Sequence, residues 1–250
     1  MTDFDYQGIP VGYYDEILHS GGNIRKSWHL QKFERVLEAL PERPHQTLLD
    51  IGCFAGTFLS LVPKSRFETQ LGVDILPNQI EYANRVHGTA FRKFRTIKNV
   101  ETFDNINESF DCITLIEVIE HLDSKEIHDL FENITRLLRP GGTLVFSTPN
   151  YLSSWPILEI ILNYLSDISY EEQHITKFHY FNLFSKLRKI YPKLWQQFEK
   201  PVKTTSHFIS PFISVLIGVE NATRLSQYLP HNRWRFPFGN LIMVRLTKCQ

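Results

Sequence analysis

Glu117, Glu120 and His121 form the densest chemical cluster in the chain, inside the run FDCITLIEVIEHLD at 110–123. Two carboxylates and an imidazole so spaced can act as a base with an orienting acid. They can equally offer oxygen and nitrogen donors to a hard or borderline divalent cation. A blander arrangement has Glu117 lining a pocket, Glu120 in solvent and His121 capping a helix. A second signature is LLDIGCFAGTFL at 48–59, where an apolar run ends on Asp50 and a turn follows, bounded by Gly52 and Gly56 with Cys53 and Phe54 inside it. Glycines at such a turn let a ligand lie directly against backbone. LGVDI at 71–75 ends a second apolar run on Asp74, about twenty residues on, where a βαβ unit sets a carboxylate against a ribose.

Strand patterns at 47–52, 70–74, 90–96, 110–116 and 142–148 alternate with helical ones at 55–62, 77–87 and 124–138. That alternation predicts parallel βαβ units. Right-handed crossovers and a reversal of strand order then place a ligand at the carboxyl ends of the first and fourth strands, where every motif named so far ends. Upstream, SWHLQKFERVLEAL at 27–40 has helical spacing, with Ser27 as its expected N-cap, and PERP at 41–44 breaks the chain before the first strand. Core packing is the expectation for Trp28, with Trp28 and His29 closing over the ligand as the alternative.

At 250 residues and 42% hydrophobic, the chain can bury a full core as one domain. Its formal net charge is zero, so no global field draws nucleic acid. Cys53, Cys112 and Cys249 are widely spaced and odd in number, a pattern that suits a reducing cytoplasm rather than a disulfide framework. The polar N-terminus shows no signal peptide, and no apolar run reaches membrane-spanning length.

The turn at 48–59, Asp74, the EVIEHL run and LLRPGGTLVFSTPN at 137–150 follow one another in an order and spacing that resemble class I S-adenosylmethionine-dependent methyltransferases. The resemblance covers roughly residues 45–150, and its EVIEH run is similar to the ubiquinone-biosynthesis O-methyltransferases. It implies an α/β fold: a Rossmann-like, seven-stranded, mostly parallel sheet with helices on both faces, closed by an antiparallel pair. The implied single domain runs 1–250, with a helical cap at 1–44, a donor-binding core at 45–150, acceptor-side insertions and a lid at 151–239, and a last strand at 240–248. It implies S-adenosylmethionine as cofactor, with Asp50, Gly52, Cys53, Phe54 and Gly56 against the methionine part, Asp74 on the ribose hydroxyls, Ile75 on the adenine and Glu117 facing the donor from the end of the fourth strand. The usual acid after the third strand is missing. Asn99, Glu101 or the backbone of Val100 would meet the adenine amino group instead. Phe54 stands where the family has glycine, so it must turn toward the helix or alter the site.

On the acceptor side the resemblance adds His174, in EEQHITKF, to Glu117, Glu120 and His121. Glu117, His121 and His174 are then the candidate catalytic residues, and the four together are a candidate divalent-cation set. The same set resembles small-RNA 3′-terminal 2′-O-methyltransferases, although the HITKFH run at 174–179 matches them only partly. His179 and Tyr180 are either pocket residues or a surface turn. The leading expectation is methyl transfer to a small or lipophilic acceptor at oxygen, without nucleic acid. RNA-terminal methylation and a non-catalytic binding protein are the alternatives. Apolar insertions fall after the fifth strand, at 151–170, and between a strand near 195–206 and the last one. Lys177, Lys186, Arg188, Lys189, Lys193, Lys200 and Lys203 beside them read as a solvated face, or as peripheral membrane contact through 177–225.

Overall fold

The computed structural model describes residues 9–43, 46–99, 103, 106–158, 160, 174–228 and 236–250. Seven strands form one sheet in the order β3-β2-β1-β4-β5-β7-β6. They are β1 (Gln46–Ile51), β2 (Phe67–Asp74), β3 (Arg92–Thr96), β4 (Phe110–Ile116), β5 (Leu138–Pro149), β6 (Phe198–Ser206) and β7 (Leu241–Lys248). The first five run parallel, and β7 is antiparallel to both β5 and β6. β1 is an interior strand, between β2 and β4. Leu48, Leu49 and Ile51 are fully buried, as a parallel strand covered on both faces requires.

The helices described in full are α1 (Tyr13–Ser20), α2 (Asn23–Ala39), α3 (Thr57–Ser60), α4 (Pro77–His87), α5 (Ser124–Leu137), α6 (Leu183–Ile190), α7 (Leu194–Gln197), α8 (Ser210–Ile217) and α9 (Val219–Tyr228). Two apolar layers sandwich the sheet. One holds Ile127, Leu130 and Phe131 of α5 with Leu183 and Leu187 of α6. The other holds Phe33 and Val36 of α2, Phe58 and Leu59 of α3, and Ile80 of α4. α5 starts where Asp123 accepts from the Glu126 backbone and Glu126 answers with its own carboxylate, a capping box.

One local expectation needs correcting. Ser27 is not a cap: α2 begins four residues earlier at Asn23, after Gly22, and the buried Ser27 hydroxyl accepts from Gln31 at 2.7 Å. The preceding residues also fold into a helix, α1, whose Asp15 receives the Tyr82 hydroxyl at 3.0 Å and meets His87 Nε2 at 2.6 Å. That pins α1 to α4. Residues 210–228, between β6 and β7, fold as α8 and α9, which pack on α2.

Basic residues near β6 are largely engaged. Lys186 donates to the Lys177 carbonyl, Lys203 to the Tyr180 carbonyl, and Lys193 and Lys200 pair with Glu132 and Glu199. Among the described residues no helix is long and apolar enough to cross a membrane.

Candidate functional site

Strand order reverses between β1 and β4, and the connections leaving their carboxyl ends diverge there. A cavity of about 680 Å³ opens at that point, the position expected for ligands of such sheets. The β1 turn forms its floor. Gly52 has φ 74, and a Cβ there would meet Val118 Cγ2 at 2.6 Å. Only glycine satisfies both conditions. Gly56 has φ 77 and faces the Phe94 ring, where a Cβ would come within 2.5 Å. Gly56 therefore shapes the turn from behind and does not line the cavity. Asp50, Gly52, Cys53, Phe54, Asp74, Ile75, Asn99 and Glu117 all line it. Val100 and Glu101 lie outside the described residues.

Asp74 ties the turn to β2. Its Oδ2 accepts from the Phe54 N–H at 2.8 Å and its Oδ1 from the Leu76 N–H at 3.0 Å. Burial still raises its pKa against those donors. Asp50 is more deeply enclosed and takes the Thr114 hydroxyl at 2.6 Å. Burial, opposed by that bond and reinforced by Asp74, pushes Asp50 up to about 7. Phe54 keeps a left-handed backbone, φ 49, and sets its ring edge-on to Tyr14 of α1, centroids 5.1 Å apart. It thus turns toward a helix, but the helix is α1 and the ring remains on the cavity wall.

α2 supplies the opposite wall. Trp28 packs on His207, Trp155 and Phe212 at centroid distances of 4.5, 5.6 and 6.3 Å, so it is both packed and cavity-lining. His29 is half-buried, and desolvation followed by the Lys32 charge holds its pKa well below the usual imidazole value. Lys32, 3% exposed, forms an ion pair with Glu117. Sequence reasoning missed Lys32. Its signal was present: Lys32 interrupts an apolar stripe between Trp28 and Val36 on one helix face. Burial alone would raise Glu117, but the Lys32 charge and hydrogen bond override it and hold the carboxyl low.

Beyond Glu117 (φ 54) the chain makes a single 3-10 turn, Ile119–His121. Thr176 clamps the later segment to it, its N–H on the Glu120 carbonyl at 2.9 Å and its hydroxyl on the Leu122 carbonyl at 2.7 Å. His174 is thereby brought to His121, ring centroids 5.1 Å apart, and holds the Tyr151 hydroxyl at Nδ1 at 2.7 Å. Glu120, His121 and His174 each present a ligand atom, all within 4.8 Å of one another. Glu117 is not in that group. Glu120 is not solvated, as the bland arrangement required. It is fully buried, with no partner for either carboxylate oxygen among the described residues. Among the described residues the nearby Thr148 hydroxyl is likewise unpartnered, although its proximity works to lower the Glu120 pKa. Burial, then the Glu117 charge, raises Glu120 well above the carboxylate range. His121 ends the 3-10 turn, and the cap of the next helix is Asp123. His179 closes the start of α6 through Asn182. Neither His179 nor Tyr180 lines the cavity.

One part of the cavity wall is apolar and is called the apolar mouth. Ile24, Trp155, Leu158 and Phe212 line it, and Ile157, Ile160, Val215 and Leu216 stand 60–84% exposed on the same segments.

Residues 25–191 match the model of a methyltransferase-domain family. Over 131 residues the chain is 30% identical to a small RNA 2′-O-methyltransferase from Arabidopsis thaliana, covering 48% of this chain and 14% of that protein. It is 29% identical over 125 residues to a ubiquinone biosynthesis O-methyltransferase from Pseudomonas syringae pv. tomato, covering 47% and 53%. The chain thus spans about half the length, or less, of the curated relatives it matches. Among solved structures, a Thermotoga maritima S-adenosylmethionine-dependent methyltransferase, described as a possible histamine N-methyltransferase, shares the fold. Its TM-score is 0.64 at 18% identity, over 94% of this chain and 93% of that one.

Proposed function

The chain belongs to the methyltransferase-domain family, and from that premise we propose that it is an S-adenosylmethionine-dependent enzyme that methylates a hydroxyl of a small, lipophilic acceptor beside a divalent cation held by Glu120, His121 and His174. The cavity fits the donor: about 680 Å³ lies within the usual range for small-molecule sites, and the Gly52 backbone is bare where a side chain would intrude. When bound, S-adenosylmethionine supplies a methyl group on a cationic sulfur, already activated for in-line displacement. The protein then has to hold, orient and keep dry. Each Asp74 oxygen keeps a lone pair beyond its backbone bond for the ribose hydroxyls. Ile75 offers an apolar surface to the adenine, and Asn99 an amide.

The acceptor half rests on one observation, the buried Glu120 carboxylate without a partner, beside two imidazoles. A carboxylate is not left so enclosed without a cation or a proton. A divalent cation there would lower the pKa of a coordinated hydroxyl. His174, oriented by Tyr151, would complete the donor set. The apolar mouth supports a lipophilic acceptor, and exposed α8 beside it supports contact with a membrane surface.

RNA-terminal methylation would use the same three residues, and the Arabidopsis likeness speaks for it. Zero net charge, the apolar mouth and the use of His179 as a cap weigh against it.

Manganese binding, followed by electron paramagnetic resonance, tests the cation. Glu120→Gln and His174→Ala should each weaken binding roughly ten- to a hundredfold. Chelation should stop labelled-methyl transfer to a lipid extract, and added magnesium or manganese should restore it. Transfer that survives chelation and both substitutions would remove the cation from this reading.

A further inference from the structure

We infer that the part-buried Lys32–Glu117 ion pair is the receptor for the zwitterionic amino-acid end of the donor, Lys32 taking its carboxylate and Glu117 its ammonium. This rests on the donor alone and is independent of the cation and of the acceptor.

Three cationic side chains line the cavity among the described residues: Arg25, Lys32 and Lys98. Arg25 and Lys98 are exposed, and Arg25 donates to the Tyr13 hydroxyl. Lys32 is 3% exposed and reaches the interior from α2. Its ammonium lies 5.5 Å from the Tyr14 ring centroid and 5.4 Å from that of Phe33, contacts that steady a cation without neutralising it. Its partner is no ordinary strand-end residue. Glu117 holds a left-handed backbone, φ 54, and adjoins Val118, the side chain that a Cβ on Gly52 would strike. The pair therefore sits beside the bare backbone of the β1 turn.

A zwitterion entering a dry cavity loses the water around both its charges, so each charge needs a partner there. A ready-made pair of opposite charges answers that need. Opening Lys32–Glu117 onto an ammonium and a carboxylate turns one ion pair into two, with no charge left over. A neutral lining would not distinguish the donor from its nucleoside fragment.

Calorimetry on the full chain tests this with two ligands sharing an adenosine thioether, S-adenosylhomocysteine and 5′-methylthioadenosine. Only the first carries the amino-acid end. Lys32→Met should weaken S-adenosylhomocysteine about ten- to a hundredfold, the range of a hydrogen bond to a charged group, and leave 5′-methylthioadenosine within about twofold. Lys32→Arg should keep the preference for S-adenosylhomocysteine. Should Lys32→Met lack a cooperative thermal transition, Glu117→Gln takes its place, with the same selective loss expected. Equal weakening of both ligands, or unchanged S-adenosylhomocysteine binding, overturns the inference. Wild-type protein that binds neither ligand overturns the donor itself, a separate result.

Discussion

Phe54 holds a backbone conformation that disfavours a phenylalanine. At φ 49 the left-handed region costs a non-glycine residue about 1–2 kcal/mol. The edge contact with Tyr14 returns about 0.5–1.5 kcal/mol. The two nearly cancel, so Phe54→Gly should shift unfolding free energy by less than about 1 kcal/mol in urea titrations. The same change uncouples α1 from the donor wall, so donor affinity should fall several-fold by calorimetry. A large stability loss with unchanged affinity would contradict this account. The sequence flags Phe54 as a departure, but its partner could not be found there, because Tyr14 lies in a helix that no clear periodicity announces. Lys32 was hidden for another reason: a lysine on an amphipathic helix reads as solvent-facing until its neighbours at Trp28 and Val36 are seen to share its face.

At the scale of elements, the strands were legible because the central ones are continuous apolar runs ending at motif residues, as β1 and β4 are. Helix starts were less so. Ser27 has the chemistry of a cap, yet inside α2 its hydroxyl accepts from Gln31, whose own amide oxygen accepts from Ser210. What α8 covers could not be read at all, since an apolar segment gives no sign of which face stays bare. In the fold, Val215 is 60% and Leu216 84% exposed beside Phe212 in the mouth. Burying two such side chains in a membrane interface contributes about 1.5–3 kcal/mol each. Wild-type protein should therefore cosediment with phosphatidylcholine–phosphatidylglycerol vesicles. Joint Val215→Asp and Leu216→Asp substitution should reduce the bound fraction at least about tenfold while sparing donor binding. Wild-type protein remaining in the supernatant would dismiss the membrane contact.

Over the whole molecule, two buried groups set opposing pH slopes. Asp50 sits near about 7 folded against 3.8 unfolded, so the native state binds the extra proton and stability is lost as pH rises through that window. His207 sits near about 4 against 6.5, lowered chiefly by burial. It bonds the Trp28 carbonyl through Nε2 and meets Ser206 at Nδ1, so its native state sheds a proton and stability is lost as pH falls from 6.5 to 4. Asp74 and Cys53 face Asp50, while Glu117, Lys32 and Arg35 act on His207. Between roughly pH 4 and 6.5 the two slopes cancel. Asp50→Asn removes one of them, and its stability relative to wild type should rise by about 1.4 kcal/mol per pH unit from pH 4 to 7, then level off. Denaturant titrations across pH would show it, and parallel curves for the two proteins would contradict it.

β7 lies between β5 and β6, although thirty-four residues of chain separate it from β6 in sequence. Neither neighbour can complete its hydrogen-bond ladder until residues 241–248 have been synthesised and have threaded home. Such non-local pairing is slow to form, and until it forms two unpaired strand edges stand open to other chains. The nascent protein therefore carries a donor turn finished early, at β1 and β2, inside a sheet that closes late. The interval between those events is when this molecule most needs protection from its own kind.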